Sequence, residues 1–262
     1  MAGPDTPRHP AARGADPWAA PADHAPWPAA QGAPAPGQPV AWSAVEAISY
    51  AWGLVTGHFA SVTLPIVGLY LLSTAVGYAV TFGLTAVAGL VGDSVVTAAA
   101  TLVGSLIQVA LGLLFAGAAT RFTLAAARGQ RVELSELAGI TPLLGRLVGF
   151  ALLMSLAVLG GTLLLIIPGI IVAVALTFGN AAMVDEGLGA VAALKRSWQL
   201  SEGARLDLFL VYLLFVPILV VSLLACLIPA LLVTMPMFYV AVSFAYLCQR
   251  GEVPVPPSNI RA

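Results

Sequence analysis

Charge is what this sequence has least of: 9% of its 262 residues are Asp, Glu, Lys or Arg, against roughly a quarter in an average soluble domain. With 60% of the chain hydrophobic, too few charged side chains remain to cover a water-facing exterior. Groups for chemistry are equally sparse. Of the three histidines, His9 and His24 lie near the amino terminus and His58 stands alone before the first long apolar run. Cys226 and Cys248 both sit within apolar runs and read as small buried hydrophobes. No His or Cys pair has metal-ligand spacing, and neither a nucleophile elbow nor a phosphate-binding loop is present. The stretch Gly187-Leu188-Gly189-Ala190-Val191-Ala192 fits the loosest dinucleotide fingerprint. It follows an apolar run instead of a buried parallel strand, which removes the context that fingerprint needs. A formal net charge of -1 offers no basic face for nucleic acid. The sequence therefore points to a non-enzymatic protein with no cofactor and no nucleic-acid partner.

What is present is long apolar runs. Residues 1–39 are rich in Pro, Ala, Gly and Asp with almost no aliphatic side chains, the composition of a disordered tail. Two Pro-Trp pairs, Pro17-Trp18 and Pro26-Trp27, mark it as a spacer or a short docking element. Residues 40–251 form a transmembrane helical domain, and residues 252–262 a short carboxyl tail. The first run, Ser61 to Leu90, exceeds a hydrocarbon core of roughly 30 Å and predicts a tilt or a bend near Pro65. Gly89, Gly92 and Asp93 make the turn into a second run that ends at Arg121, extends to Arg128 and is capped by Gly129. Thr141-Pro142 opens the third. Residues 142–184 read as either two spans in a tight hairpin broken at Pro168-Gly169 or one kinked span. The last two runs are divided by Pro229 and carry internal prolines, Pro217 and Pro236.

Charge placement decides the count. On a six-span reading all eleven Lys and Arg residues fall on one side, and the other side holds only Asp93. The positive-inside rule then places both termini in the cytoplasm and requires an even number of crossings. The expected fold is all-α: a polytopic bundle of about six transmembrane helices in three hairpins.

Residues 44–52 and 190–198 align without gaps, sharing Ala, Val, Ala, an aliphatic and Trp, followed by Leu54 with Leu200 and Gly57 with Gly203. On a helix, Ala41, Val45, Ile48, Trp52 and Val55 share one face, opposite Ser43, Glu46 and Ser49. Leu188, Val191, Leu194 and Trp198 repeat that face, with Lys195, Gln199 and Glu202 outward, and Leu134 and Leu137 with Glu133 and Glu136 form a shorter version. Each predicts a cytoplasmic amphipathic helix lying in the interface, with Trp52, Trp198, Lys195 and Arg196 as anchors. Asp185 and Glu186 read as acids at a helix amino terminus, favourable to its dipole. Within the spans, Gln108 and Asn180 are the candidate polar site. Gly112 with Ala116, and Gly145 with Gly149, predict close helix approach or self-association.

Ile167-Pro168-Gly169-Ile170-Ile171, Val184-Asp185-Glu186-Gly187, the segment Ala193 to Leu200 with Gly203, and Tyr246-Leu247-Cys248-Gln249-Arg250-Gly251 resemble the membrane-domain family linked to bacterial glycerophosphoryl diester phosphodiesterases. The resemblance covers residues 40–251 and implies a bacterial inner-membrane protein. In that family the phosphodiesterase activity belongs to a separate soluble barrel, which this chain lacks, so no reaction is implied. The expected role is an accessory, scaffold or bilayer-organising component that partners with membrane lipids and with itself as a homo-oligomer. The alternative is a transporter of a small or lipidic solute.

Overall fold

The computed structural model describes residues 38–130, 144–164, 166–224 and 230–260. These form α1 (Ala44–Gly57), α2 (Leu64–Val91), α3 (Ser94–Ala127), α4 (Leu144–Leu164), α5 (Ile166–Ala175), α6 (Gly179–Glu186), α7 (Ala190–Leu200), α8 (Arg205–Leu224) and α9 (Met235–Gln249). Short π-helical turns, Phe59–Thr63 and Ala230–Thr234, lead into α2 and α9, and a 3-10 turn, Pro257–Asn259, follows α9. No strand occurs among the described residues. Six helical stretches there are long and apolar enough to cross a membrane: Phe59–Val91, Ser94–Ala127, Leu144–Leu163, Ile167–Glu186, Arg205–Leu224 and Ala230–Gln249.

Local chemistry sets the ends. Ser43 and Glu46 form a capping box that starts α1: the Glu46 N–H donates to Ser43 Oγ and the Ser43 N–H to Glu46 Oε2. Glu46, read above as part of a polar face, thus begins the helix. Gly92 turns the chain at φ 73°, and Asp93 caps α3 by accepting from the Val95 and Val96 N–H groups. The bend expected at Pro65 is replaced by a π-helical turn that ends two residues earlier, which leaves Pro65 in the first turn of α2 where its missing N–H costs no bond. Pro236 is likewise in the first turn of α9, not internal, whereas Pro217 does lie inside α8.

Between residues 144 and 186 the chain forms two of these candidate spans, Leu144–Leu163 and Ile167–Glu186. Helices α4 and α5 fold back on one another where Gly161 meets Gly169; a Cβ on Gly161 would lie 3.0 Å from the Gly169 Cα. The fourth candidate span is interrupted at Leu176–Phe178, where Ser197 of α7 donates to the Ala175 carbonyl at 2.8 Å and satisfies part of the broken ladder. The Thr141-Pro142 start, the short helix expected at 133–137, the Pro229 break and both Pro-Trp pairs lie outside the described residues.

The second helix of each hairpin is the more central. Half of the α5–α6 span and 61% of the α9 span are buried, against 11% for α4 and 17% for α8. Apart from Gly104, every buried residue of α3 lies at or beyond Phe115, so only its carboxyl-terminal part enters the core. There Thr123 meets Ser243 of α9 in a buried hydroxyl pair at 2.7 Å. The amino-terminal part of α3 packs against α2, where Gly104 lies against Thr81 and Gly77 against the Gln108 side chain. Gly112 and Gly145 face open space and are not the contact glycines, because the hairpins meet on other faces.

Helix α1 departs from the expected one-sided pattern. Its buried seam is Ala44, Ala47, Tyr50, Ala51 and Leu54, packed on α9 with Tyr50 stacked at 4.7 Å from Phe244. Val45 and Trp52 stay exposed. Small alanines allow the close approach, so the helix buries its Ala/Leu stripe against protein and turns its bulkier residues outward. Its two ends are held at the carboxyl end of the chain: Val40 N–H donates to the Cys248 carbonyl at 2.8 Å, and His58 Nε2 donates to the Pro257 carbonyl at 2.7 Å. His58 therefore has a structural partner.

Candidate functional site

Three helices end at the same place in the same way. Helices α3, α6 and α9 are each followed by a glycine with positive φ: Gly129 (69°), Gly187 (66°) and Gly251 (78°). At α3 and α9 the hydrogen bonds are the same. Gly129 N–H bonds to Ala126 O and Gln130 N–H to Ala125 O; Gly251 N–H bonds to Cys248 O and Glu252 N–H to Leu247 O. This cap satisfies carbonyls that a helix end otherwise leaves open. In each case the residue before the glycine is charged: Arg128, Glu186 and Arg250.

Those charges interlock. Arg128 grips Asp185 with two nitrogens, Nη1 to Oδ1 at 2.6 Å and Nη2 to Oδ2 at 3.0 Å, and reaches Glu252 at 2.8 and 3.0 Å. Arg250 donates to the other side of Asp185 and lies 3.5 Å from Glu252 and 3.8 Å from Glu186. Tyr246 donates to Asp185 and Glu186 at 3.2 Å each, and Arg196 from α7 closes on Glu186 at 3.1 Å. Three guanidinium groups face three carboxylates, so the cluster is neutral as a whole. Hydrogen bonds donated to Asp185 and Glu252 hold the Arg128 guanidinium above its ordinary pKa. Arg146 of α4 adds a bond to the Gly187 carbonyl at 3.0 Å.

The cluster corrects one expectation. Asp185 and Glu186 end α6; α7 starts four residues beyond Glu186, with Gly189 as its cap. Two carboxylates at a helix carboxyl end oppose its dipole, and the facing arginines offset that cost. Arg196, expected as a lipid anchor, spends its charge on Glu186, while Lys195 is exposed. Trp52 and Trp198 are 55% and 43% exposed, so both indoles are free of the core as the anchor reading requires. The Arg205 guanidinium covers the Trp198 ring at 4.4 Å.

Burial also follows the repeat. Ala47 and Ala193, Ala51 and Ser197, and Leu54 and Leu200 are buried in pairs, while Val45 and Val191, and Trp52 and Trp198, are exposed in pairs.

Gln108 and Asn180 do not form one site. Helices α3 and α6 meet at Arg128 and Asp185; Gln108 lies about 30 Å back along the first and Asn180 about 8 Å back along the second, at 1.5 Å per residue. Gln108 instead presses on Gly77, and its buried Oε1 has no hydrogen-bond partner.

The carboxyl segment, read above as a tail, packs as far as residue 260. Val255 donates to the Ala127 carbonyl at 2.8 Å and accepts from the Tyr50 hydroxyl at 3.0 Å, which ties α1, α3 and α9 together beside the cluster. The paired signal Arg128-Gly129 and Arg250-Gly251, with Asp185-Glu186-Gly187 between, is the sequence feature that marks this centre.

No curated protein and no solved structure matches the chain. One family model does, over residues 109–256, more than half of the chain, and this segment holds every charged member of the cluster. The chain belongs to that family, described as a domain of unknown function, DUF7847.

Proposed function

We propose that this chain is a six-span protein of a bacterial inner membrane, with both termini cytoplasmic, that serves as a non-enzymatic scaffold or bilayer-organising component. The observation that carries the reading is the employment of its charges. Arg128, Asp185, Glu186, Arg196, Arg250 and Glu252 are the groups a reaction centre would draw on, and each is held by another of them at one end of the bundle. Such an arrangement fastens three hairpins together. The exposed pair Trp52 and Trp198 suits headgroup depth at that end. Asp93 lies at the far end of α3, about 50 Å from Arg128, farther than a hydrocarbon core of roughly 30 Å.

The segments that resemble the glycerophosphoryl diester phosphodiesterase membrane domain include Asp185, Glu186, Arg196, Tyr246 and Arg250. We extend the relation to the cluster itself, as a device for holding a membrane fold together. The carrier alternative rests on the proline-broken helices and the repeat, while Gln108 and Asn180, its candidate polar residues, stand apart.

Native mass spectrometry from mild detergent tests the role. The reading expects homo-oligomers or co-purifying membrane partners with retained lipid. A strict monomer that retains neither overturns it.

A further inference from the structure

A groove of about 760 Å³ runs between α1, α8 and α9. Val45, Ile48 and Trp52 of α1 wall one end, and Leu214 and Ile218 of α8 face Met237 of α9 along its length. Ser222 and Thr234 line it as well, and their hydroxyls bond to each other at 2.8 Å. No charged residue lines it. Its volume falls within the roughly 300–1,000 Å³ of sites that take small molecules.

Three features fix the occupant's chemistry. First, the end walled by α1 is the charged end of the bundle, because α1 is bonded at both ends to residues at the carboxyl end of the chain. Second, Leu214 to Ser222 spans eight residues of α8, about 12 Å, close to the half-thickness of a hydrocarbon core roughly 30 Å across. Third, α8, which lines the groove through Leu214, Pro217, Ile218 and Ser222, also exposes the large apolar side chains of Leu213, Val220 and Leu224. A long, uncharged trough lined by such a helix, with an indole and the Ser49 hydroxyl at its charged end, matches a hydrocarbon chain anchored by a polar head.

We propose that this groove holds one acyl chain of a bilayer phospholipid, its headgroup level with Trp52 and Ser49. The proposal rests on the membrane reading above and names the lipid contact it implies. Binding here would tie α8, the loosely packed first helix of its hairpin, to α1 and α9.

The full chain, in nanodiscs containing a phosphatidylethanolamine with a diazirine on one acyl chain, provides the test. After irradiation, adducts should concentrate on peptides carrying Val45 to Trp52 and Leu214 to Ser222, several-fold above those on the exposed face of α4 around Leu152 and Leu156. Leu214→Trp, which fills the trough, should cut the groove adducts at least three-fold and leave the α4 adducts unchanged. Adducts spread in proportion to exposure over all spans, or unmoved by Leu214→Trp, overturn the proposal. Groove labelling that rises when residues 1–37 are deleted, or when oligomers are dissociated, assigns the groove to the amino-terminal segment or a second copy and overturns it as well. Failure of the membrane reading looks different: the protein stays soluble without detergent and no span is labelled.

Discussion

Asp185 is the residue on which the cluster should depend most. It accepts from Arg128, Arg250 and Tyr246, and its side chain is 11% exposed, against 26% and 29% for the two arginines. Charge-assisted hydrogen bonds contribute about 1.5–3 kcal/mol each, and removing one partner of a buried pair costs about 3–5 kcal/mol. Here the arginines keep water and Glu252, and the dipole penalty on α6 is relieved by about 0.5 kcal/mol. The expected cost of Asp185→Ala is therefore about 2–3 kcal/mol, and that of Asp185→Asn about 1–2 kcal/mol because the amide still accepts from Tyr246. For a chain of this size the alanine variant should unfold roughly 5–10 °C lower in a detergent melting experiment. Glu252→Gln, at a carboxylate 35% exposed, should cost less than about 1 kcal/mol. A double-mutant cycle with Arg128→Leu should show coupling of about 1–2 kcal/mol. A shift below 1 °C for Asp185→Ala, or additive behaviour in the cycle, would refute the view that these charges fasten the hairpins.

Other substitutions test the packing. Gly251→Ala places a Cβ 2.6 Å from the Gln38 carbonyl at φ 78° and should cost about 2–3 kcal/mol, whereas Gly187→Ala meets only the roughly 1 kcal/mol backbone penalty; equal melting temperatures for the two would contradict the close approach of residue 38 to α9. Gln108→Leu removes a buried oxygen that lacks a partner and should raise stability by about 1 kcal/mol, visible as a higher melting temperature. Ser197→Ala leaves the Ala175 carbonyl unpaired inside the bundle and should cost about 1–2 kcal/mol, with faster proteolysis at Leu176–Phe178 as a second readout.

Much of the architecture was legible in the residues themselves. The long apolar runs, the Gly129 cap, the Asp93 turn and the repeat around Trp52 and Trp198 follow from hydropathy and spacing, which act locally. What was not legible depended on contacts between distant segments. Asp185 and Glu186 precede Gly187 and α7 in the chain, so they read as the start of a helix, although they end α6 and answer arginines 57 and 65 positions away. Helix α1 has an alanine stripe whose value appears only when α9 is there to pack on it. Hydrophobic periodicity picked out Val45 and Trp52 as the face for the membrane interface and missed the alanine seam, because it weighs side-chain size and carries no information about how closely two backbones approach. Likewise Gln108 and Asn180 were paired by polarity alone, which says nothing about depth.

The central claim is that the charged end of the bundle faces the cytoplasm and Asp93 faces the other side. It is tested most directly by labelling intact cells with a membrane-impermeant maleimide, using Asp93→Cys and Lys195→Cys variants in a background of Cys226→Ala and Cys248→Ala. The account predicts that the cysteine at 93 reacts in intact cells and the one at 195 only after lysis. Labelling of position 195 from outside, with 93 protected, would contradict it.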